Sequence, residues 1–246
     1  MLLLHGFPDS SYLWRRQIPA LAGAGFRSIA PDLRGFGASD RPPHVRDYRL
    51  SLVLRDVEAL LDSLGVERAH VVGHDWGAAV AWLFAARHPE RVERLVVLSV
   101  GHPAAFSQPS LAQLRRSWYI GVFQLPGLAE WALRAGDWRA LRRGLRGGDV
   151  ERYVADLSRP GALTAALNLY RANPLLPVRS RGGVPVSAPT LGVWGARDPA
   201  LTERQMIDSG RYVRGPWRYE RFDDAGHWLQ LQRPERLNAL LLEFLG

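Results

Sequence analysis

The 246-residue sequence contains no cysteine and no lysine. The first absence excludes disulfides and cysteine-bound metal sites. The second makes every one of the 32 basic residues an arginine, so the net charge of +8 reflects a coding preference as much as a selected surface. Apolar runs are short. None reaches the roughly 18 uncharged residues of a membrane span, and residues 1–6 lack the basic segment of a signal peptide. A cytoplasmic protein is expected, as monomer or homodimer. Nucleic-acid motifs are missing too, so the positive charge does not by itself indicate a nucleic-acid partner. The surplus is local: residues 104–185 hold twelve arginines against five acidic side chains. It reads as a solvated surface, with attraction to anionic substrates or a membrane surface as the alternative.

What is present is a chain of 47% hydrophobic residues, enough for a full core in one large domain or two small ones. Apolar runs at 2–5, 27–31, 92–100 and 190–194 alternate with helical patterns. The clearest is Leu54, Val57, Leu61 and Leu64 on one face of a helix. Residues 12–23 have helical spacing, with a kink or restart at Pro19. A strand at 218–222 and a closing helix at 235–245 complete the series. Repeated strand–helix units imply a parallel sheet with helices on both faces. The alternation breaks once, at 104–185, where the sequence is helical and arginine-rich. An insertion at the carboxyl end of a strand lies where open α/β sheets bind ligands, so it is expected to cover the site. The expected units are a core of 1–103 with 186–246 and a helical cap of 104–185.

The chain is organised around Gly73-His74-Asp75-Trp76-Gly77, which follows an apolar run and precedes a small-residue helix. With serine at its centre this would be the strand–turn–helix elbow that presents a nucleophile. Here the central residue is Asp75. The flanking glycines remove β-carbons from a crowded turn, and the free N–H groups of the following helix favour a carboxylate. Asp75 thus reads as a carboxylate nucleophile, with a helix-capping aspartate as the plain alternative. Asp198 and His227 each follow a later strand, giving the order nucleophile, acid, histidine. In that arrangement His227 is the base and Asp198 orients its ring. The turn after the first strand, His5-Gly6-Phe7-Pro8, is positioned to place the Phe7 N–H beside that of Trp76 as an oxyanion hole.

These motifs, with Gly226-His227-Trp228, resemble the α/β-hydrolase fold epoxide hydrolases over essentially the whole chain. The elbow alone is shared with haloalkane dehalogenases. The insertion adds to the resemblance: the segments at 117–127 and 167–173 are similar to the two lid segments that carry tyrosines in that family. The resemblance implies that Tyr119 and Tyr170 hold the epoxide oxygen. It also implies the α/β-hydrolase fold, with a helical lid after the fourth strand present and the family's N-terminal strands missing. The sheet would then have six parallel strands, with the segment at 27–30 near an exposed edge. Asp75 would attack an epoxide carbon, and His227 would activate the water that hydrolyses the resulting ester to a vicinal diol. The partners implied are a small apolar epoxide and water, with no metal and no cofactor. Trp118, Phe123 and Trp228 are candidate pocket residues, and Leu128, Trp131 and Trp138 also suit an apolar pocket or lid packing. A dehalogenase is the alternative reaction, although Phe7 offers no side-chain donor to a halide. A non-catalytic binding protein on the same fold is the alternative of another class.

Overall fold

The apolar runs form strands because they are buried on both faces of a central sheet, the pattern expected of parallel strands covered by helices. In the computed structural model, which describes residues 1–107, 109–145, 147–174 and 183–246, these are β1 (Leu2–Leu4), β2 (Ala69–His74), β3 (Val92–Leu98), β4 (Thr190–Gly195) and β5 (Trp217–Phe222). All pairs are parallel and lie side by side in chain order.

The segment at 27–31 does not form the sixth strand that its composition suggests. Only Ile29 pairs with β1: its N–H donates to the Met1 carbonyl at 2.8 Å, and its carbonyl accepts from the Leu3 N–H at 2.8 Å. Two features end the pairing. Pro31 has no N–H to donate, and β1 offers three residues. The helical insertion consequently follows the third strand of the sheet, β3, and not the fourth.

Outside the insertion, a 3₁₀ turn at Ser11–Arg16 is followed by α1 (Ile18–Gly23). The helical pattern restarts there because Pro19 falls in the first turn, where its missing N–H costs nothing. Next come α2 (Leu50–Ser63) and α3 (Trp76–Arg87). Gly77 through Trp82 are all buried on α3, so this helix lies inside the protein and carries little polar face.

Between β3 and β4 the described chain is helical: α4 (Leu111–Arg116), α5 (Trp118–Phe123), α6 (Leu128–Gly144), α7 (Val150–Ser158) and α8 (Ala162–Ala172). Gln108, Arg146 and 175–182, which the sequence also assigns to the cap, lie outside the described residues. Helix α6 is broken at Ala135–Trp138, where Gly136, Asp137 and Trp138 take positive φ. The chain closes with α9 (Glu203–Asp208), α10 (Leu229–Gln232) and α11 (Pro234–Leu245). Among the described residues no helix is long and apolar enough to cross a membrane.

A buried ion pair ties the insertion together. The Arg171 guanidinium on α8 donates two bonds to Glu130 on α6, at 2.8 and 2.9 Å, and one to the Phe123 carbonyl at the end of α5, at 2.9 Å. Burial alone would raise the Glu130 pKa, but Arg171 outweighs it and holds the carboxyl down at about 2. A depressed acid adds stability that is complete above its unfolded pKa near 4.5 and fades as pH falls toward 2. Glu130→Gln is therefore expected to cost about 3 kcal/mol near neutral pH, the scale of leaving one buried charge unpaired. The gap between variant and parent should narrow below pH 4.5, as denaturant unfolding at several pH values would record.

Candidate active site

Asp75 sits between β2 and α3 with φ 53° and ψ −121°, a conformation that side chains rarely adopt. Such strain persists only where the surroundings enforce it. Here Gly73 and Gly77 allow the close approach: a β-carbon on Gly77 would collide with the Leu4 carbonyl on β1, and one on Gly73 with the Gly77 carbonyl. The turn lifts the Asp75 carboxylate off the end of the sheet. Its Oδ1 accepts the Phe7 N–H at 2.7 Å, and the adjacent Trp76 N–H also favours the charged form. Burial works against ionisation, but His227 foremost, with the Trp76 N–H, prevails and keeps the pKa below the ordinary carboxylate value.

The second carboxylate oxygen, Oδ2, faces His227 Nε2 at 3.6 Å. That is longer than a hydrogen bond. On its other side His227 Nδ1 meets Asp198 Oδ2 at 2.8 Å. Asp198 is fixed in turn, because its Oδ1 accepts the N–H groups of Ala200 and Leu201 at 2.8 and 2.9 Å. Burial opposes a charge on His227, yet the flanking carboxylates, Asp198 foremost, push its pKa up to about 10. The two flanking carboxylates thus favour the imidazolium form of His227. The structure brings Asp75, Asp198 and His227 together from three separate strand ends.

Asp75 and His227 open into a cavity of about 340 Å³ with mostly apolar walls. Tyr119 on α5 and Tyr170 on α8 line it from the insertion side, together with Phe7, Trp118, Phe123 and Trp228. Phe123 is the hub of this wall. Its ring centroid lies 5.3 Å from that of Tyr119, 5.1 Å from Tyr170 and 5.6 Å from Phe7. Tyr170 also packs edge-on against Trp76 at 5.0 Å. Burial first, and then the Asp75 charge, push both phenols above their ordinary pKa, so both are neutral and protonated. Asn173 anchors α8 to the core through the Tyr48 carbonyl at 2.9 Å and the Leu50 N–H at 3.0 Å. Leu128, Trp131 and Trp138 do not line the cavity. Trp138 is buried elsewhere, while Leu128 and Trp131 face outward.

Two buried residues beside the site had no assignment from the sequence. Asp9 accepts from the Trp228 indole N–H at 2.9 Å, and burial pushes its pKa up to about 7. It holds the ring next to His227, whose centroid is 4.9 Å from that of Trp228. His74 donates through Nε2 to the His227 carbonyl at 2.9 Å, and burial with the nearby His227 charge drives its pKa down to about 3. Asp9 lies between a proline and a serine, so it reads locally as a turn former. Its partner is 219 positions away. Among the described residues no group of three His, Cys, Asp or Glu side chains could hold a metal ion.

A five-stranded parallel sheet, a strand–turn–helix elbow and an acid–histidine pair on later loops together define an α/β hydrolase, and a profile of the alpha/beta hydrolase fold matches residues 1–234. Within that class the chain belongs to the epoxide hydrolase family. It is 39% identical to epoxide hydrolase 3 of Xenopus tropicalis, covering 100% of this chain and 71% of that protein. It is 36% identical to epoxide hydrolase A of Mycobacterium tuberculosis, covering 100% and 89%. The crystal structure of epoxide hydrolase A from Mycobacterium thermoresistibile superimposes with a TM-score of 0.83 at 33% identity, over 99% of this chain and 90% of that one.

Proposed function

We propose that the protein hydrolyses apolar epoxides to vicinal diols through a covalent ester on Asp75. The observation that carries this reading is the position of Asp75. One carboxylate oxygen is held by the Phe7 N–H, and the carboxylate opens into an apolar cavity roofed by two neutral phenols. Oδ2 of Asp75 attacks an epoxide carbon, and the carbon–oxygen bond of the ring breaks. The departing oxygen takes a proton from Tyr119 or Tyr170, which face Asp75 across the cavity. The outcome is a neutral ester and a free hydroxyl on the substrate.

Ester formation changes the electrostatics of the base. Asp75 loses its negative charge, and with it goes one of the attractions that keep the proton on His227. The proton that His227 releases balances the one gained by the substrate oxygen through the phenols. Neutral Nε2, with Nδ1 bonded to Asp198, then removes a proton from water as it attacks the ester carbonyl. Negative charge on Oδ1 develops where the Phe7 N–H already donates, with the Trp76 N–H adjacent as the second donor of the scheme. Collapse regenerates the Asp75 carboxylate and the imidazolium and releases the diol. The helical insertion acts as a cap in this scheme, supplying the proton donors and the apolar walls.

The double substitution Tyr119→Phe with Tyr170→Phe tests the identity of the electrophile. It removes both phenolic donors and keeps the rings around Phe123. Epoxide turnover is expected to fall about 10²- to 10⁴-fold, the span of general-acid catalysis. The assay runs a panel of aryl epoxides against haloalkanes, scoring diol and halide release. Full epoxide activity in the double variant, or halide release exceeding diol formation in the parent, would refute the reading.

A further inference from the structure

The arginine surplus of the insertion and its outward-facing tryptophans are not used by the reaction. Among the described residues, eleven large hydrophobic side chains are exposed, and six of them fall between positions 111 and 131: Leu111, Leu114, Trp118, Leu125, Leu128 and Trp131. Trp118 and Trp131 are each 69% exposed. The spacing 111, 114, 118 follows one face of the α4–α5 run, and 128 and 131 follow one stripe of α6. Six of the eleven thus fall within twenty-one consecutive residues, whereas monomeric surfaces scatter such side chains singly.

The charge on the same segment is one-sided. Each described acidic residue of the insertion already has an arginine partner. Glu130 pairs with Arg171, Asp137 and Glu151 with Arg142, Asp149 with Arg15, and Asp156 with Arg152 and Arg159. Arg115, Arg134, Arg139 and Arg143 are exposed and have no carboxylate within ion-pair distance among the described residues. The cavity opens on this side, since Trp118, Ala140 and Gly144 line it while remaining exposed.

We infer that this face of the insertion docks on the surface of an anionic lipid bilayer, with the cavity mouth turned toward the lipid. Tryptophan and leucine beside arginine is the composition that settles at a membrane interface, the rings at headgroup level and the cations on anionic lipid. A second copy fits the face less well, because a two-fold contact would set the same unpaired arginines against each other. Apolar substrates would then pass from bilayer to cavity without crossing water. That last consequence rests on the epoxide reading; the docking does not.

The test is co-sedimentation of the intact chain with vesicles of phosphatidylcholine alone, or of phosphatidylcholine with one third phosphatidylglycerol, at low and high salt. Binding to the anionic vesicles is expected to be about tenfold tighter or more, and to weaken with salt. Leu128→Ser with Trp131→Ser should lose most of that binding yet hydrolyse a water-soluble epoxide at the parent rate, because neither side chain lines the cavity. Arg134→Ser with Arg139→Ser should remove the preference for anionic lipid, and it provides a second reading should the apolar variant fold poorly. Equal, weak binding to both vesicle types overturns the inference, as does undiminished binding by both variants. A dimer that Leu128→Ser with Trp131→Ser converts to monomer assigns the face to a second copy instead. Because sedimentation uses no epoxide, failure here is separable from failure of the proposed reaction.

Discussion

His227→Gln, mixed with an epoxide, is expected to gain the mass of one substrate molecule and to keep it. In the proposed scheme, alkylation of Asp75 requires the carboxylate, the Phe7 N–H that orients it and the phenols across the cavity, and all of these survive the substitution. Hydrolysis requires a base for water, and glutamine is none. Steady-state turnover should therefore drop by about 10³-fold or more, while epoxide consumption stops after one equivalent, held as the ester, and no diol is released. Intact mass spectrometry reads the adduct, and peptide mapping should locate it on Asp75. A protein that stays unmodified, with turnover equally lost, would mean that His227 serves ring opening and would sink the assignment of separate steps.

Asp75→Ala removes the proposed nucleophile, and its effect should be at least as large, about 10⁴-fold or more. A second readout distinguishes this from simple damage to the fold. The His227 pKa is pushed up to about 10 by two carboxylates, Asp198 being the larger influence and Asp75 the other. With Asp75 gone, the imidazolium should titrate at distinctly lower pH, visible in the ring proton resonances. The direction follows from charge alone: removing a neighbouring anion disfavours the cation. Retained activity in Asp75→Ala would eliminate the ester mechanism, and an unchanged His227 titration would show that the pair at 3.6 Å is not electrostatically coupled.

Much of this site is legible in the sequence because the fold puts it there. In an open parallel sheet the functional side chains come from the loops at strand carboxyl ends. Each is marked locally by the turn that ends an apolar run, as with Gly73–Gly77, Asp198 and His227. What the sequence does not disclose is decided by distant partners. The run at 27–31 has the composition of a strand but pairs through Ile29 alone, since pairing depends on the neighbour it finds. Leu128 and Trp131 look like pocket lining by residue type, and only the placement of α6 turns them outward. Trp138 is buried by a break at Ala135–Trp138 that no proline announces. Asp9 and His74 matter through bonds to Trp228 and the His227 carbonyl, more than 150 positions away in each case.

The carbonyl of His227 is held from behind by two donors, the Ser99 hydroxyl at 2.7 Å and His74 Nε2 at 2.9 Å. Both follow from the central strands β2 and β3, whereas the phenols hang from helices of the insertion. In the proposed scheme Asp75 and the Phe7 N–H serve both steps from the core, and only the proton donors for ring opening come from the insertion. On that scheme, sequence drift in α5, α6 or α8 would retune which molecules are opened and how fast, while the nucleophile and the base stay anchored to the sheet. A protein built this way can acquire new substrates by changing its roof and leaving its floor alone.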